Sequence, residues 1–148
     1  MYNPEIILAG RRLNDSMGEY VAMEVIRLMI KKDLRVKGAN VLVMGVTFKE
    51  NCPDIRNSKV LDIISTLKSF ETNITILDPH ANSEEVKRAI GIASINAIQD
   101  NEINFDAIIH AVAHQSFNII DLSKLKKDIS VIYDVKGVLP RNIIDASL

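Results

Sequence analysis

A chain of 148 residues, 47% apolar and 25% charged, is long enough to bury a core of its own and too apolar to stay disordered. A formal net charge of -1, with the basic residues scattered, excludes a global positive field for nucleic acid or an anionic membrane. One cysteine, Cys52, excludes an internal disulfide and a multi-cysteine metal site; no apolar run reaches the roughly 18 residues of a membrane span, and MYNPEIILAGRR has no basic segment ahead of its apolar one, so a cytoplasmic protein is expected.

In chain order, Asn14 or Asp15 can cap a first helix, because short polar side chains accept from the free N–H groups of a first turn. Apolar residues recur at i, i+4 through Met17, Val21, Val25 and Met29, which predicts a helix over 17–32. Its apolar positions cover more than one stripe, so burial on several sides and a partner are expected. KKDLRVKG ends it and Gly38 opens the next unit. ANVLVMGV (39–46) is a short β-rich run. Ser58 to Leu67 reads as a helix, with Val60, Leu61, Ile63, Ile64 and Leu67 on one face. NITILD (73–78) is a second strand, closed by Pro79. SEEVKRAI (83–90) predicts a helix with Ser83 as its cap and Glu84 and Glu85 in the first turn, where the dipole favours acids. ASIN (93–96) is a short strand and FDAIIHAVA (105–113) a longer apolar one. LSKLKKD (122–128) is a helical turn, and SVIYDV (130–135) a last strand. Apolar strands alternating with helices predict an α/β fold: a Rossmann-like parallel sheet with helices on both faces, preceded by a long N-terminal helix. The expected division is 1–37 as a helical arm and 38–148 as the sheet domain.

Ligands of open parallel sheets bind at the carboxyl ends of the strands. GVTFKENCPDIRNSKV (45–60) lies at that edge, but it lacks the glycines of a dinucleotide loop. Lys49 there suits a phosphate or a sugar hydroxyl, or is a solvated loop lysine. Arg56 stands before a helix start and either strengthens an anion site or pairs with Asp54 or Glu50 at the surface. Cys52 has no partner placed by sequence and reads as inert. His80 follows the second strand where a ribose is often read. His110 reads as a satisfied core residue, and His114 falls at the ligand edge. Lys136 follows the last strand at the same edge. The spread of the three histidines does not make a metal site.

GVTFKENCPDIRNSKVLDII resembles the signature of the C-terminal domain of the UDP-glucose/GDP-mannose dehydrogenase family. ILAGRRLNDSMGEYVA resembles the end of that family's central helical domain, and DPH, AVAH and YDVKGVL match in order. The FKENCPDIRN segment looks most like the branch that oxidises UDP-N-acetylhexosamines for bacterial capsules and O-antigens. The resemblance implies a UDP-binding Rossmann-like domain at 38–148 behind the tail of a central dimerisation domain at 1–37, with a homodimer through the helix at 17–32. It implies that Phe48, Lys49 and Lys136 contact the UDP-sugar and that Arg56 reaches NAD across a domain interface. The family's catalytic cysteine, glycine-rich NAD motif and catalytic lysine match nothing in this chain, so the resemblance also implies a fragment of an NAD-dependent UDP-sugar 6-dehydrogenase, inactive alone. A stand-alone nucleotide-sugar-binding module and a dimerisation scaffold are the alternatives.

Overall fold

The computed structural model describes residues 16–99 and 104–148. The expected caps Asn14 and Asp15 lie outside the described residues. The first helix, α1, runs Met17–Lys31. One stripe of it, Val21, Ala22, Val25, Ile26 and Met29, is buried in the same apolar cluster as the sheet. Tyr20, Met23 and Ile30 stay exposed on the opposite side. Gly18 is where α1 meets the next helix, α2 (Val60–Ser69). A Cβ at Gly18 would stand 2.6 Å from Asp62 Cβ and 2.7 Å from the Lys59 carbonyl oxygen, so only glycine permits this approach. Past the C-terminal end of α1, Lys32 Nζ donates to the Ser130 carbonyl and to Asp145, both at 2.6 Å. The arm is thereby tied to the last strands.

The sheet contains β1 (Asn40–Met44), β2 (Asn73–Leu77), β3 (Phe105–His110), β4 (Lys126–Asp134) and β5 (Ala146–Ser147). Their order is β2-β1-β3-β4-β5 and every pairing is parallel. The chain steps outward from β1 to β2, then returns to lay β3 on the other side of β1. The order therefore reverses between β1 and β3, and the crevice lies at their carboxyl ends, between the loops that leave to either side. All six residues of β3 are buried, as a central strand covered on both faces requires.

Several boundaries differ from the sequence reading. The helix Ser83–Ile90, α3, has the expected span, but Asn82 is its cap: its side chain accepts the Glu85 N–H at 3.1 Å from an extended backbone. Ser83 is already helical, and its hydroxyl donates to the Ser94 carbonyl. ASIN contributes a single bridge, Ile95 to Leu77. β3 stops at His110, because the N–H groups of Ala111 and Val112 both turn to the Met44 carbonyl. β4 begins at Lys126, not Ser130: Phe105 pairs with Lys126, and Lys127 reaches Asp106 at 2.9 Å, which draws KKD into the sheet. The helical turn shrinks to a 3-10 turn at Leu122–Lys124. A second 3-10 turn, Gln115–Ile119, and β5 had no sequence signal.

The two faces of the sheet are covered differently. Buried residues of α1, α2 and α3 join the cluster on one face. The other face, with Leu42, Met44, Ile108 and Ile132, is covered by Phe117 and Leu122 of the 3-10 turns. No α-helix among the described residues contributes to it.

Gly45 opens the crevice. Its φ is +93°, and a Cβ there would lie 2.5 Å from Val112 Cβ. Gly45→Ala adds backbone strain of about 1–3 kcal/mol to an overpacking cost of similar size. Denaturant unfolding should show a loss of about 2–6 kcal/mol; a loss below about 0.5 kcal/mol, the range of neutral surface changes, would contradict this account of the turn.

Candidate functional site

The crevice is organised by Asp78, the first residue after β2. Its side chain is fully buried, and five N–H groups converge on it. Oδ2 accepts from the backbone of Val46 at 2.8 Å and Thr47 at 3.3 Å, and from His114 Nε2 at 3.0 Å. Oδ1 accepts from the backbone of His80 and Ala81 at 2.8 and 3.0 Å. Burial alone would raise this carboxyl. The hydrogen bonds from His114, Val46 and His80 outweigh it and hold the group below its ordinary value. One carboxylate thus closes the loops after β1 and β2 and the loop after β3.

His114 is itself buried, and its other nitrogen is engaged. Nδ1 lies 2.8 Å from the Asn51 backbone N–H, which can only donate. Nδ1 therefore accepts, and the ring proton sits on Nε2, pointing to Asp78. Thr47 Oγ1 lies 3.3 Å from the same Nε2 and 2.9 Å from the Lys49 carbonyl oxygen, to which it donates. Asn51 takes φ +58° and returns its Oδ1 to the Gln115 N–H at 3.0 Å. Phe48 N–H closes the loop on the Asp54 carbonyl at 2.6 Å.

The residues singled out from sequence separate into groups. Phe48 and Lys49 stand exposed at the tip of the loop just described. Lys136 is exposed after β4, on the same edge of the sheet. β3 alone lies between β1 and β4, so the two strand ends are about 10 Å apart. Arg56 is exposed and forked onto Asp54, with Nε and a terminal nitrogen each 3.0 Å from a carboxylate oxygen. The guanidinium holds the Asp54 carboxyl below its usual range. Of the two readings of Arg56, this conformation holds the surface ion pair. Arg56 also borders an open hollow of about 960 Å³ with His80 and Arg88. The His80 ring lies 4.6 Å from that of His114. Cys52 is half-buried.

His110 corrects the expectation of a satisfied core histidine. It is buried, but its Nδ1 has no hydrogen-bond partner, and neither has Asp134 Oδ1, 3.5 Å away. Burial pushes the His110 imidazole below its usual value, against the opposing pull of Asp134. Sequence reasoning passed over Asp78 and Asn51. The available signal for Asp78 was an acid directly after a buried strand and before Pro79, where free N–H groups of neighbouring loops converge.

A dinucleotide pyrophosphate needs bare backbone N–H groups after the first strand. Here those of Val46 and Thr47 are spent on Asp78, and Gly45 is the one glycine of the 45–60 segment. The β1–α2 loop does not fit an NAD pyrophosphate.

The family described as UDP-glucose/GDP-mannose dehydrogenase family, UDP binding domain, matches residues 42–141. The UDP-N-acetyl-D-glucosamine 6-dehydrogenase of Salmonella typhi is 47% identical over 150 residues, covering 99% of this chain and 35% of that protein. Protein CapL of Staphylococcus aureus is 40% identical over 148 residues, covering 99% of this chain and 34% of that protein. A solved structure of the UDP-N-acetyl-mannosamine dehydrogenase Cap5O from S. aureus superimposes with a TM-score of 0.72 at 26% identity, over 91% of this chain and 30% of that one. The chain spans about a third of the length of the curated relatives it matches.

Each buried donor left unpaired costs roughly 1–3 kcal/mol, so Asp78→Ala should destabilise by on the order of 3 kcal/mol or more. The folded carboxyl titrates below its ordinary 3.8. Its contribution is therefore complete at neutral pH and is lost as pH falls from that ordinary value through the lowered folded one. Denaturant titrations of wild type and Asp78→Ala at pH about 7 and about 3 should show the deficit shrinking in acid; an equal deficit at both would remove the charge from the explanation.

Proposed function

Since the chain belongs to the UDP-glucose/GDP-mannose dehydrogenase family, we propose that it grips the UDP moiety of a nucleotide sugar at the carboxyl edge of its sheet, as the UDP-binding part of an NAD-dependent nucleotide-sugar 6-dehydrogenase. The observation that carries this reading is the Phe48–Lys49 tip, exposed on a loop whose backbone is hydrogen-bonded into the buried crevice. An ammonium on a fixed loop meets a diphosphate at little conformational cost, and the neighbouring ring offers an apolar face to the base or sugar. Lys136 supplies a second positive charge on the same edge. The substrate is a UDP-N-acetylhexosamine, oxidised at its primary alcohol to the uronate for a surface polysaccharide such as a capsule. The names of the relatives from S. typhi and S. aureus support that choice.

NAD, when bound, takes up hydride. This chain's β1–α2 loop does not hold its pyrophosphate, so its part toward NAD is limited to Arg56. Arg56 sits with Arg88, His80 and Glu85 around an open hollow between the loops after β1 and β2 and α3, and release from Asp54 would free its fork for an anion. Residues 1–37 are the tail of the central helical domain, and two copies associate through α1. The exposed stripe Tyr20, Met23 and Ile30 supports that association. No helix among the described residues is long and apolar enough to cross a membrane. A cytoplasmic setting fits the UDP-sugar substrate.

Titration calorimetry with UDP tests the site. Loss of a charge-assisted contact costs about 1.5–3 kcal/mol, so Lys49→Ala should weaken binding about ten- to a hundred-fold. Arg56→Ala should leave UDP affinity within about twofold. Equal affinities of wild type and Lys49→Ala would remove Lys49 from the site. For the association, Ile30→Glu should convert a sedimenting dimer to monomer; a wild-type chain that sediments as a monomer at high concentration would remove α1 as the interface.

A further inference from the structure

We infer that His114 is a positioning residue for the ligand loop, and that its Nδ1 acceptor, rather than its packing, holds Phe48 and Lys49 in place. The inference rests on the reading of Lys49 as a UDP contact and extends it to a buried residue that touches no ligand. Both ends of the 48–50 tip converge on one imidazole. On the N-terminal side, Thr47 Oγ1 bridges the ring nitrogen Nε2 and the Lys49 carbonyl. On the C-terminal side, the Asn51 N–H donates to Nδ1 at 2.8 Å, the shortest bond to the ring. The ring is fixed by Asp78, which also holds the β1 end of the loop through the N–H groups of Val46 and Thr47. The tip residues themselves are exposed and contribute little packing, and Asn51 sits at φ +58°, a conformation that needs a tertiary restraint in a non-glycine residue. Deleting the Nδ1 acceptor leaves the Asn51 N–H without its partner and frees the tip on one side.

The two nitrogens can be separated by substitution. In His114→Gln the amide nitrogen stands near Nε2 and keeps a donor for Asp78, but nothing accepts from Asn51. In His114→Asn the amide oxygen stands near Nδ1 and keeps the Asn51 bond, while Asp78 loses its side-chain donor. The two variants should therefore rank in opposite orders. His114→Gln melts higher, yet its Phe48 and Asn51 amides exchange at least about tenfold faster than wild type, and it loses more UDP affinity. His114→Asn melts lower, yet its loop amides stay better protected and it loses less affinity. Hydrogen exchange by NMR without nucleotide, thermal melts and UDP calorimetry on the full chain read these three quantities. A packing role would make loop protection and affinity follow the melting order; that result, or wild-type protection of the Asn51 amide in His114→Gln, overturns the inference. Thr47→Val, which deletes only the bridging hydroxyl, serves if either histidine variant fails to fold: it should speed exchange at Phe48 while the Asn51 amide, still held by Nδ1, stays protected, and loss of protection at Asn51 equal to that at Phe48 would also overturn it. The exchange arm needs no ligand, so absence of UDP binding by wild type would sink the reading of Lys49 while the role of His114 is still decided.

Discussion

A buried carboxylate with five N–H donors is the constraint on which the rest of the ligand edge depends. Taking an ionised group out of water is costly unless its lone pairs are filled, so Asp78 forces its donors to gather around it. Those donors come from the loops after β1, β2 and β3. Each loop alone would have free backbone N–H groups at a strand end. Sharing one acceptor satisfies them and draws the three strand ends together at the point where sheet order reverses.

The same bonds explain the composition of the first loop. A glycine-rich loop offers its backbone to phosphate; this loop offers its backbone to Asp78. What remains for a ligand is side chain, and a side chain reaches anionic oxygen best when it carries positive charge. On the proposed function, Lys49 on the tip and Arg56 before α2 are the chemical counterpart of the missing glycines. They differ in circumstance. Lys49 projects from a loop whose backbone is anchored through Thr47 and Asn51, whereas Arg56 is occupied by Asp54 two residues away.

The sheet's unequal faces add a second asymmetry. Three helices pack on one side, and α1 is locked there by Gly18 and by the bonds of Lys32 to β4 and Asp145. On the other side, short 3-10 turns leave a cavity of about 540 Å³ bordered by His110, Phe117, Ile132 and Leu139. His110 and Asp134 meet at its strand ends with one polar atom each unpaired. Their separation of 3.5 Å is too long for a good hydrogen bond, and burial opposes a charge on the imidazole.

The sequence by itself determined the elements whose signal is local. The period of apolar residues in α1 and α2, the acidic first turn of α3 and the apolar runs of β1, β2 and β3 are written in neighbouring residues, and so is the loop that carries Phe48 and Lys49. Tertiary structure alone decided matters that depend on distant partners. Lys126 joined the strand by pairing with Phe105, and Lys127 is held there by Asp106, against the helical pattern of the segment. Asn82 displaced Ser83 as cap because backbone conformation, not residue type, selects the capping position. Asp78 and His114 stand 36 residues apart, and nothing local shows that they bond to each other. Their roles follow from burial, which exists only once the strands are side by side and which turns an ordinary acid and an ordinary histidine into the fixed point of the ligand edge.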